Sequence, residues 1–291
     1  MKRLTPSDSM FLYGESREQM MHVGAMMPFG PLPNGNPDTL RDLMNEIRGA
    51  AVHRPWNMRL RTPDFLWNPL QAWVEQDDVD IEYHVRRSAL PSPGDERELG
   101  ILVSRLHGHH VDFHRPPWEA HLIEGLDRGR FAMYIKVHHS LVDGFSAMRI
   151  LAHALSTDPN ETDRPMFFSI PPPAREPRPE GEGGVHFPEL LAAVREQYGA
   201  AKTAVRALRK LLESARSGDH DFVTPRAAPK SLLNARISKS RRFATQLIAT
   251  ARLKAVAKAS GGTLNDVVLA LCSASLRRYL VEQNALPDAP L

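Results

Sequence analysis

Two adjacent histidines precede an aspartate and a glycine in the stretch HHSLVDG, which covers residues 138–144. An imidazole has an unperturbed pKa of about 6.5, so at neutral pH it is mostly free base and can accept a proton from a hydroxyl or amine that attacks a carbonyl carbon. His139 is our candidate for this base, and we expect Asp143 to organise the turn that positions its ring. Gly144 would allow a close approach of neighbouring backbone. A buried structural role is the alternative for His139 taken alone, but the whole stretch favours a catalytic site.

A predicted β-hairpin carries these histidines. Residues 118–125 and 130–139 both alternate apolar and polar side chains, and the LDRG between them is typical of a turn. Because side chains alternate between the two faces of a strand, His139 falls on the apolar face of the second strand and His138 on the opposite face. The apolar face comprises Phe131, Met133, Ile135 and Val137, and the opposite face carries Tyr134 and Lys136. After the hairpin, GFSAMRILAHAL predicts a helix with Asp143 as its N-cap.

Further elements are predicted on the N-terminal side of the hairpin. Thr5 is placed as the N-cap of a short helix, and Asp38 is placed to cap a second one. The stretch DIEYHVRR, which begins at Asp80, alternates and predicts a strand with one buried face. Apolar residues at spacings of three and four predict another helix over residues 99–106.

Composition divides the chain into three parts. Residues 1–155 are predicted to form an N-terminal half that carries HHSLVDG. Residues 156–188 are rich in proline and glycine with charges throughout, which is typical of a flexible linker or surface excursion. Residues 189–291 contain an amphipathic stretch and then a long predicted helix that begins at Thr263 or Asn265.

Bulk composition indicates a globular protein and excludes several classes. The 291 residues include 37 basic and 34 acidic side chains, and the resulting net charge of +3 is too small to indicate nucleic-acid binding. No apolar run is long enough for a membrane span or a signal peptide, so we expect neither an integral membrane protein nor a secreted one. The single cysteine, Cys272, fits a reducing cytoplasm and is expected to be a buried, inert thiol.

Two other kinds of chemistry have weak support. The stretch HGHHVDFH brings four histidines close together in sequence, but no second cluster of Cys, Asp or Glu stands at ligand spacing and no HExxH pair is present, so we expect no metal site. The sequence also lacks the GxSxG elbow of a serine nucleophile. The histidines considered were His107, His109, His110 and His114.

The amphipathic stretch at residues 189–216 has two interpretations. Its apolar residues recur at spacings of three and four, and lysines and arginines cover much of the remaining surface. A helix of this kind can pack on its own domain with a solvated basic face, or it can lie in a membrane interface. We favour the packed helix and keep the membrane interface as the alternative.

HHSLVDG matches the HHxxxDG signature of the acyltransferase superfamily that includes chloramphenicol acetyltransferase and the condensation domains of peptide synthetases. Three further stretches narrow the resemblance: LTPSDSMFL, RPPWEAHLIEGL, and the run from RRFATQLIA through NDVVLALCSASLRRYL. Together they resemble the bacterial bifunctional wax ester synthases/diacylglycerol acyltransferases. The second motif departs from the family pattern, since Pro117 stands where leucine is common between Pro116 and Trp118.

The resemblance implies an α/β (α+β) fold like that of chloramphenicol acetyltransferase: a two-layer sandwich with a mixed sheet flanked by helices. It further implies two similar halves with an active-site tunnel between them. Family members continue well beyond the length of this sequence, so we expect the chain to be one segment of a longer polypeptide whose C-terminal half is incomplete here. The remaining C-terminal portion of the same protein is then an expected partner.

The resemblance also implies roles for particular residues. His139 would be the general base, Asp143 the structural aspartate beside Gly144, and His138 a supporting residue. Asn265 and Asp266 lie in the NDVVLA motif near the site of acyl transfer, and the Asn265 amide is suited to stabilise an oxyanion. The implied substrate-binding residues are Asp266, Trp118 and the basic cluster Arg236, Lys239, Arg241 and Arg242, which would attract the phosphates of CoA unless it is only a solvated loop.

The implied reaction moves a long-chain acyl group from acyl-CoA to a fatty alcohol or a diacylglycerol. It needs no cofactor or metal, and acyl-CoA is a substrate. Because both substrates are strongly hydrophobic, we expect a site open to a membrane or lipid-droplet surface. The expected location is the cytoplasm, with attachment to the inner membrane face or to lipid inclusions as an alternative. Rival interpretations are an amide-forming domain that uses a carrier-protein thioester, and a catalytically silent lipid-binding relative.

Overall fold

The structure is a computed structural model that describes residues 2–31, 38–68, 70–158, 161, 164–172 and 229–289. The chain divides into two compact units. The first comprises Met1–Ala174 and Ile237–Gln246, and the second comprises Arg175–Arg236 and Leu247–Leu291. The first unit is therefore built from two separate stretches of sequence, and it contains HHSLVDG.

Seven strands and five α-helices make up the described part of the first unit. The strands are β1 (Lys2–Arg3), β2 (His22–Phe29), β3 (Met58–Leu60), β4 (Ala72–Glu75), β5 (Val85–Ala89), β6 (Trp118–Glu124) and β7 (Phe131–His138). The helices are α1 (Pro6–Gly14), α2 (Thr39–Gly49), α3 (Ile81–His84), α4 (Glu96–His107) and α5 (Gly144–Ala154).

A four-stranded mixed sheet forms the centre of this unit, in the order β2-β7-β6-β5. Neighbouring strands are antiparallel except β5 and β6, which run parallel. A smaller sheet has the order β1-β4-β3. Helices flank the large sheet, and this arrangement confirms the predicted mixed α/β class.

The β6–β7 hairpin forms as the alternation predicts, with His121 paired to Tyr134. Its two faces contribute to different cores. Ile135 and Val137 pack in the cluster that receives α2, whereas Tyr134 packs in the cluster under α4. The strand that carries the histidines is therefore held from both sides.

Of the two N-caps predicted in this part of the unit, the structure shows a side-chain cap at Thr5 but none at Asp38. Thr5 caps α1 through its hydroxyl, which accepts a hydrogen bond from the Asp8 N–H at 3.1 Å. Asp38 precedes α2, but its side chain makes no capping hydrogen bond and instead pairs with Arg41 at 3.1 Å.

The strand predicted from Asp80 begins later than expected. Residues Ile81–His84 form a helical turn because the Asp80 carboxylate accepts a hydrogen bond from the Tyr83 N–H at 3.1 Å. His84 is then fully buried, with its ring Nδ1 2.7 Å from the Trp118 carbonyl oxygen. Only Val85–Ala89 is extended.

The predicted linker at 156–188 is wrong for its first part. Phe167 and Phe168 are buried, and both pack against Trp118. The Phe168 carbonyl accepts a hydrogen bond from the His53 N–H at 2.9 Å. Two aromatic rings gave these residues enough apolar surface to join the core, so residues 164–172 belong to the first unit. The remainder of the linker, like the amphipathic stretch at 189–216, lies outside the described residues.

The described part of the second unit contains a short 3₁₀ turn (Leu232–Asn234) and two helices, α6 (Thr250–Ser260) and α7 (Leu264–Glu282). Thr263 is the N-cap of α7, and its hydroxyl and the Asp266 carboxylate form a reciprocal capping box. Cys272 is exposed on α7, so the expectation of a buried thiol is wrong. The strand-like run after Arg242 has no strand partner among the described residues.

No helix in the part of the chain that the structure describes is long and apolar enough to cross a membrane.

Candidate active site

The two histidines of the signature lie at the end of β7, and backbone hydrogen bonds hold them from both sides. The His138 N–H donates to the Pro117 carbonyl at 2.9 Å, just before β6. The His139 N–H donates to the Met21 carbonyl at 3.0 Å, just before β2. The Leu141 N–H then donates to the His138 carbonyl at 2.9 Å and turns the chain away from the sheet. The backbone of the signature is therefore fixed by both neighbours of β7.

His138 is fully buried and hydrogen-bonded at both ring nitrogens. Its Nδ1 accepts from the Ser140 N–H at 3.2 Å and lies 2.6 Å from the Ser140 Oγ. Because Nδ1 is an acceptor, the ring proton is on Nε2, which donates to the Glu15 carboxylate at 3.4 Å. The edge of the Phe113 ring lies against the imidazole, with centroids 4.9 Å apart. A ring enclosed in this way supports the site and has no access to a substrate.

Glu15 connects α1 to the signature. Its side chain is 5% exposed, and besides His138 it accepts a hydrogen bond from the Met21 N–H at 2.6 Å and contacts His110 Nδ1 at 2.8 Å. Burial alone would raise the pKa of Glu15, but the hydrogen bonds from His138 and Met21 outweigh burial, so the pKa lies below its usual value. Glu15 is therefore an ionised carboxylate that is surrounded by hydrogen-bond donors.

His139 is half-buried and has different surroundings. Its imidazole stacks on the Phe11 ring of α1, with centroids 4.1 Å apart and an interplanar angle of 16°. Its Nδ1 is buried and has no hydrogen-bond partner among the described residues. The stack fixes the plane of the ring, and no described residue forms a hydrogen bond with its Nδ1.

Asp143 is exposed and caps α5, as predicted. Its carboxylate accepts hydrogen bonds from the Ser146 N–H at 2.9 Å and the Ser146 Oγ at 2.8 Å. These bonds lower the pKa of Asp143. Asp143 thus fixes the turn after the histidines. The close approach expected at Gly144 is not found, because a Cβ built there would have no atom within 4 Å.

The structure places Trp118 differently from the prediction. This side chain is 1% exposed and packs among Trp56, Phe167, Phe168 and the His84 ring. Its indole N–H donates to the Trp56 carbonyl at 2.7 Å. A substrate could reach it only if the core opened, so its assignment as a substrate-binding residue is wrong.

The predicted basic cluster is divided between the two units. Lys239, Arg241 and Arg242 line a surface groove of the first unit, whereas Arg236 belongs to the second unit and is exposed. Arg241 is anchored there: its guanidinium donates to the Glu18 carbonyl at 3.0 Å.

The NDVVLA residues lie in the second unit, at the start of α7. Asp266 accepts hydrogen bonds from the N–H and hydroxyl of Thr263 at 2.7 and 2.8 Å, and these bonds lower its pKa. Asn265 is exposed in the first turn. Asp266 is therefore occupied by capping, whereas the Asn265 amide is available.

No group of three or more metal-ligating side chains occurs among the residues that the structure describes. The ring atoms of the histidines in HGHHVDFH instead contact protein groups. For example, His107 Nδ1 lies 2.7 Å from the Tyr134 hydroxyl and His114 Nε2 lies 3.0 Å from Asp64.

Sequence reasoning missed Phe11 and Glu15. Both lie in or just after the stretch that predicted α1, and a helix with a buried face must pack on something. Leu12, which lies between them in sequence, is fully buried and shows which face of α1 packs against the rest of the unit. The sequence carried no signal that its neighbours would contact His139 and His138.

Comparison with known proteins connects this site to a family. Residues 4–268 match the wax ester synthase/diacylglycerol acyltransferase catalytic domain. A putative diacylglycerol O-acyltransferase of Mycobacterium tuberculosis is 47% identical over 316 residues, covering 100% of this chain and 64% of that protein. The O-acyltransferase WSD of Acinetobacter baylyi is 38% identical over 301 residues, covering 100% of this chain and 62% of that protein.

The structure of a wax ester synthase/diacylglycerol acyltransferase from Marinobacter aquaeolei VT8 superposes with a TM-score of 0.74 at 38% identity. The match covers 99% of this chain and 63% of that one. The present chain thus spans less than two thirds of the length of each of these proteins. The resemblance inferred from HHSLVDG and the three further stretches is confirmed, and the chain belongs to the wax ester synthase/diacylglycerol acyltransferase family.

Proposed function

We propose that this protein transfers a long-chain acyl group from acyl-CoA to a fatty alcohol or a diacylglycerol, yielding a wax ester or a triacylglycerol, with His139 as general base. The observation that carries the proposal is the contrast between the two histidines. His138 is buried with both nitrogens bonded, whereas His139 is half-buried, stacked on Phe11, and free of polar partners among the described residues.

The proposed reaction has two steps and needs no cofactor. The imidazole of His139 takes the proton from the acceptor hydroxyl as its oxygen attacks the thioester carbon, which forms a tetrahedral intermediate. Collapse of this intermediate breaks the carbon–sulfur bond, and the proton on His139 passes to the departing thiolate to give CoA. No acyl-enzyme forms, and the base returns to its neutral state.

The other signature residues position the base. His138 and Glu15 hold the end of β7, and Asp143 fixes the turn into α5. We assign to Asn265 the donation of a hydrogen bond to the oxyanion, because the NDVVLA stretch matches the family motif and the amide is exposed. Lys239, Arg241 and Arg242, with Arg236 of the second unit, are proposed to attract the phosphates of CoA.

Exposed apolar side chains on α5, which follows the signature, and on α1, whose Phe11 stacks on His139, support a lipid substrate. On α5, Phe145 is 75% exposed and Met148 is 67% exposed, and on α1 Met10 is 63% exposed. They suit a fatty alcohol or diacylglycerol delivered from a membrane or lipid-droplet surface, and peripheral association of a cytoplasmic protein with such a surface is part of the proposal.

An assay of CoA release tests the function. Incubation with palmitoyl-CoA and either hexadecanol or dipalmitoylglycerol should release CoA in step with ester. His139→Ala should lower the rate by roughly two to four orders of magnitude, the contribution of a general base. His153→Ala, an exposed histidine on α5, is the matched control and should keep the rate.

Ester formation that persists in His139→Ala would remove the general-base role. Amide formation from a carrier-protein thioester, without ester from acyl-CoA, would favour the condensation-domain alternative. Lipid binding without turnover of any acceptor would favour a silent relative.

A further inference from the structure

A groove of about 840 Å³ lies between α4 and residues 239–245, entirely within the first unit. Two glycines allow the segment to lie directly on the helix. A Cβ at Gly100 would be 2.9 Å from the Phe243 carbonyl oxygen, and a Cβ at Gly108 would be 3.3 Å from the Lys239 carbonyl oxygen. The groove is therefore formed by a close approach of two stretches that are far apart in sequence.

The groove carries uncompensated positive charge. Arg105, Lys239 and Arg242 are exposed and have no ion pair with any described residue. Among the described residues, Arg241 donates only to backbone carbonyls, those of Glu18, Ser238 and Ser240, and none of its described partners carries a negative charge.

The other charges of the groove are already paired. Arg97 pairs with Glu98 at 2.9 Å. The acidic residue of the lining, Glu96, pairs with Arg130 at 3.0 Å. The groove thus presents several cations and no free carboxylate among its described residues, and an anion with more than one negative charge would complement it.

The groove adjoins the signature by two routes. Lys136 of β7 donates through Nζ to the Leu106 and His109 carbonyls at 3.0 Å each, at the end of the groove. Two strand residues, about 7 Å, separate Lys136 from His138. Arg241 contacts Glu18, in the loop whose Met21 carbonyl holds the His139 backbone. The groove and His138 lie on the same face of β7, so the phosphopantetheine arm of a ligand in the groove would pass around the end of the strand to reach His139.

We propose that this groove binds the 3′-phospho-ADP portion of acyl-CoA, with Arg105 of α4 facing Lys239 and Arg242 across the ligand. The inference rests on the proposed function and extends it to the choice of donor. A 3′-phosphate carries about −1.5 to −2 charge at neutral pH, and the diphosphate adds further negative charge. A carrier-bound phosphopantetheine lacks the 3′-phosphate and the adenosine, so the groove selects free CoA thioesters over carrier-bound ones.

Binding of CoA and of 3′-dephospho-CoA, measured by calorimetry on the intact chain, tests the site. The chain should bind CoA at least about tenfold more tightly than dephospho-CoA, a difference of about 1.4 kcal/mol. The double variant Arg105→Gln/Lys239→Gln should lose about tenfold or more in CoA affinity and change little towards dephospho-CoA. Arg128→Gln is the matched control, since this exposed arginine lies outside the groove lining, and its CoA affinity should stay within about twofold.

Equal affinity of the unmodified chain for the two ligands would overturn the proposal, as would a double variant that binds CoA normally. Thermal unfolding checks that the double variant is folded, and Arg242→Gln serves as a second variant with the same expected loss of CoA affinity. Vesicles containing phosphatidylglycerol provide a further arm. Vesicle binding that the substitutions weaken, with CoA binding unchanged, would assign the groove to lipid headgroups instead.

Transfer assays separate this proposal from the proposed function. Palmitoyl-CoA and palmitoyl-dephospho-CoA are compared as donors to hexadecanol, and kcat/KM should fall about tenfold without the 3′-phosphate. Ester formation at equal kcat/KM from both donors would reject the groove and keep the acyl transfer. A strong preference for CoA in binding, without ester from any donor, would keep the groove and reject the acyl transfer.

Discussion

His138 and His139 are neighbours in sequence but have different surroundings. Strand periodicity placed the two rings on opposite faces, and the structure shows the result: one ring is hydrogen-bonded to Ser140 and Glu15, and the other is stacked on Phe11. Ser140, His138 and Glu15 together resemble the order of a serine–histidine–acid triad. Because Ser140 and His138 are both buried, this chain of hydrogen bonds stabilises the turn and does not reach a substrate.

The site was predictable from sequence where it depends on local pattern. HHSLVDG predicted the cap at Asp143, and the alternation predicted that the two histidines have different surroundings. Trp118 was named as a substrate-binding residue from the family resemblance, whereas the structure buries it in strand β6, which is buried on nearly its whole length. Phe11 and Glu15 were missed because their contacts join α1 to β7, and no local pattern encodes such a contact.

His22 is expected to make stability depend on pH. Burial lowers its pKa from 6.5 to about 4. Its Nε2–H donates to the His107 carbonyl at 2.9 Å, and its Nδ1 is buried without a partner among the described residues, so a second ring proton would be unpaired. As pH falls from 6.5 towards 4, His22 becomes protonated in the unfolded chain but stays neutral in the folded chain. The free energy of unfolding should therefore decrease over this range, by on the order of 3 kcal/mol at most.

Urea unfolding at pH 7 and pH 5 measures this effect. His22→Gln should show a smaller loss of stability between the two pH values than the unmodified chain, whereas His153→Gln, an exposed histidine, should keep the full loss. An unchanged pH dependence in His22→Gln would contradict the assignment.

At the scale of the elements, predictions were correct where contacts between neighbours in sequence determine the element, and they failed where distant contacts determine it. The hairpin and the helix caps at Thr5, Asp143 and Thr263 depend on neighbours in sequence and were predicted. The turn at Ile81–His84 was missed because the side-chain cap from Asp80 outweighed an alternating pattern. The groove beside α4 was not foreseen, since it needs residues that a separate stretch of chain supplies.

Gly100→Ala tests the contact between α4 and residues 239–245. Alanine is a better helix former than glycine by about 1 kcal/mol, so an unhindered site would gain stability. At Gly100 the added Cβ would meet the Phe243 carbonyl at 2.9 Å, and backbone cannot move away cheaply. We expect destabilisation of about 1–3 kcal/mol, measured by urea unfolding.

Gly49→Ala, in the last turn of α2, is the control because a Cβ there has nothing within 4 Å. It should be neutral or slightly stabilising. If Gly100→Ala is as stable as Gly49→Ala, residues 239–245 can move away from the added Cβ without loss of stability.

At the scale of the whole molecule, the first unit is discontinuous in sequence, because residues 237–246 pack with residues 1–174. Phe243 packs against the cluster of Leu99, Leu102 and Tyr134 under α4. Full burial of a phenylalanine side chain contributes about 1.5–3 kcal/mol, and Phe243 is partly buried, so we expect a contribution at or below the lower end of this range. The returning segment is therefore part of the core of this unit.

Truncation measures this contribution. A fragment of residues 1–246 should unfold at a higher temperature than one of residues 1–236, by several degrees for a change of about 1–3 kcal/mol. Thermal unfolding followed by circular dichroism gives the comparison. Equal midpoints would show that the segment adds nothing to the unit.

The exposed position of Cys272 limits how oxidation can join chains. The sequence has one cysteine, and it stands on the surface of α7. One sulfur forms one disulfide, so oxidation at Cys272 couples two copies of this 291-residue chain. A thiol-directed dye would likewise attach at a single, known place.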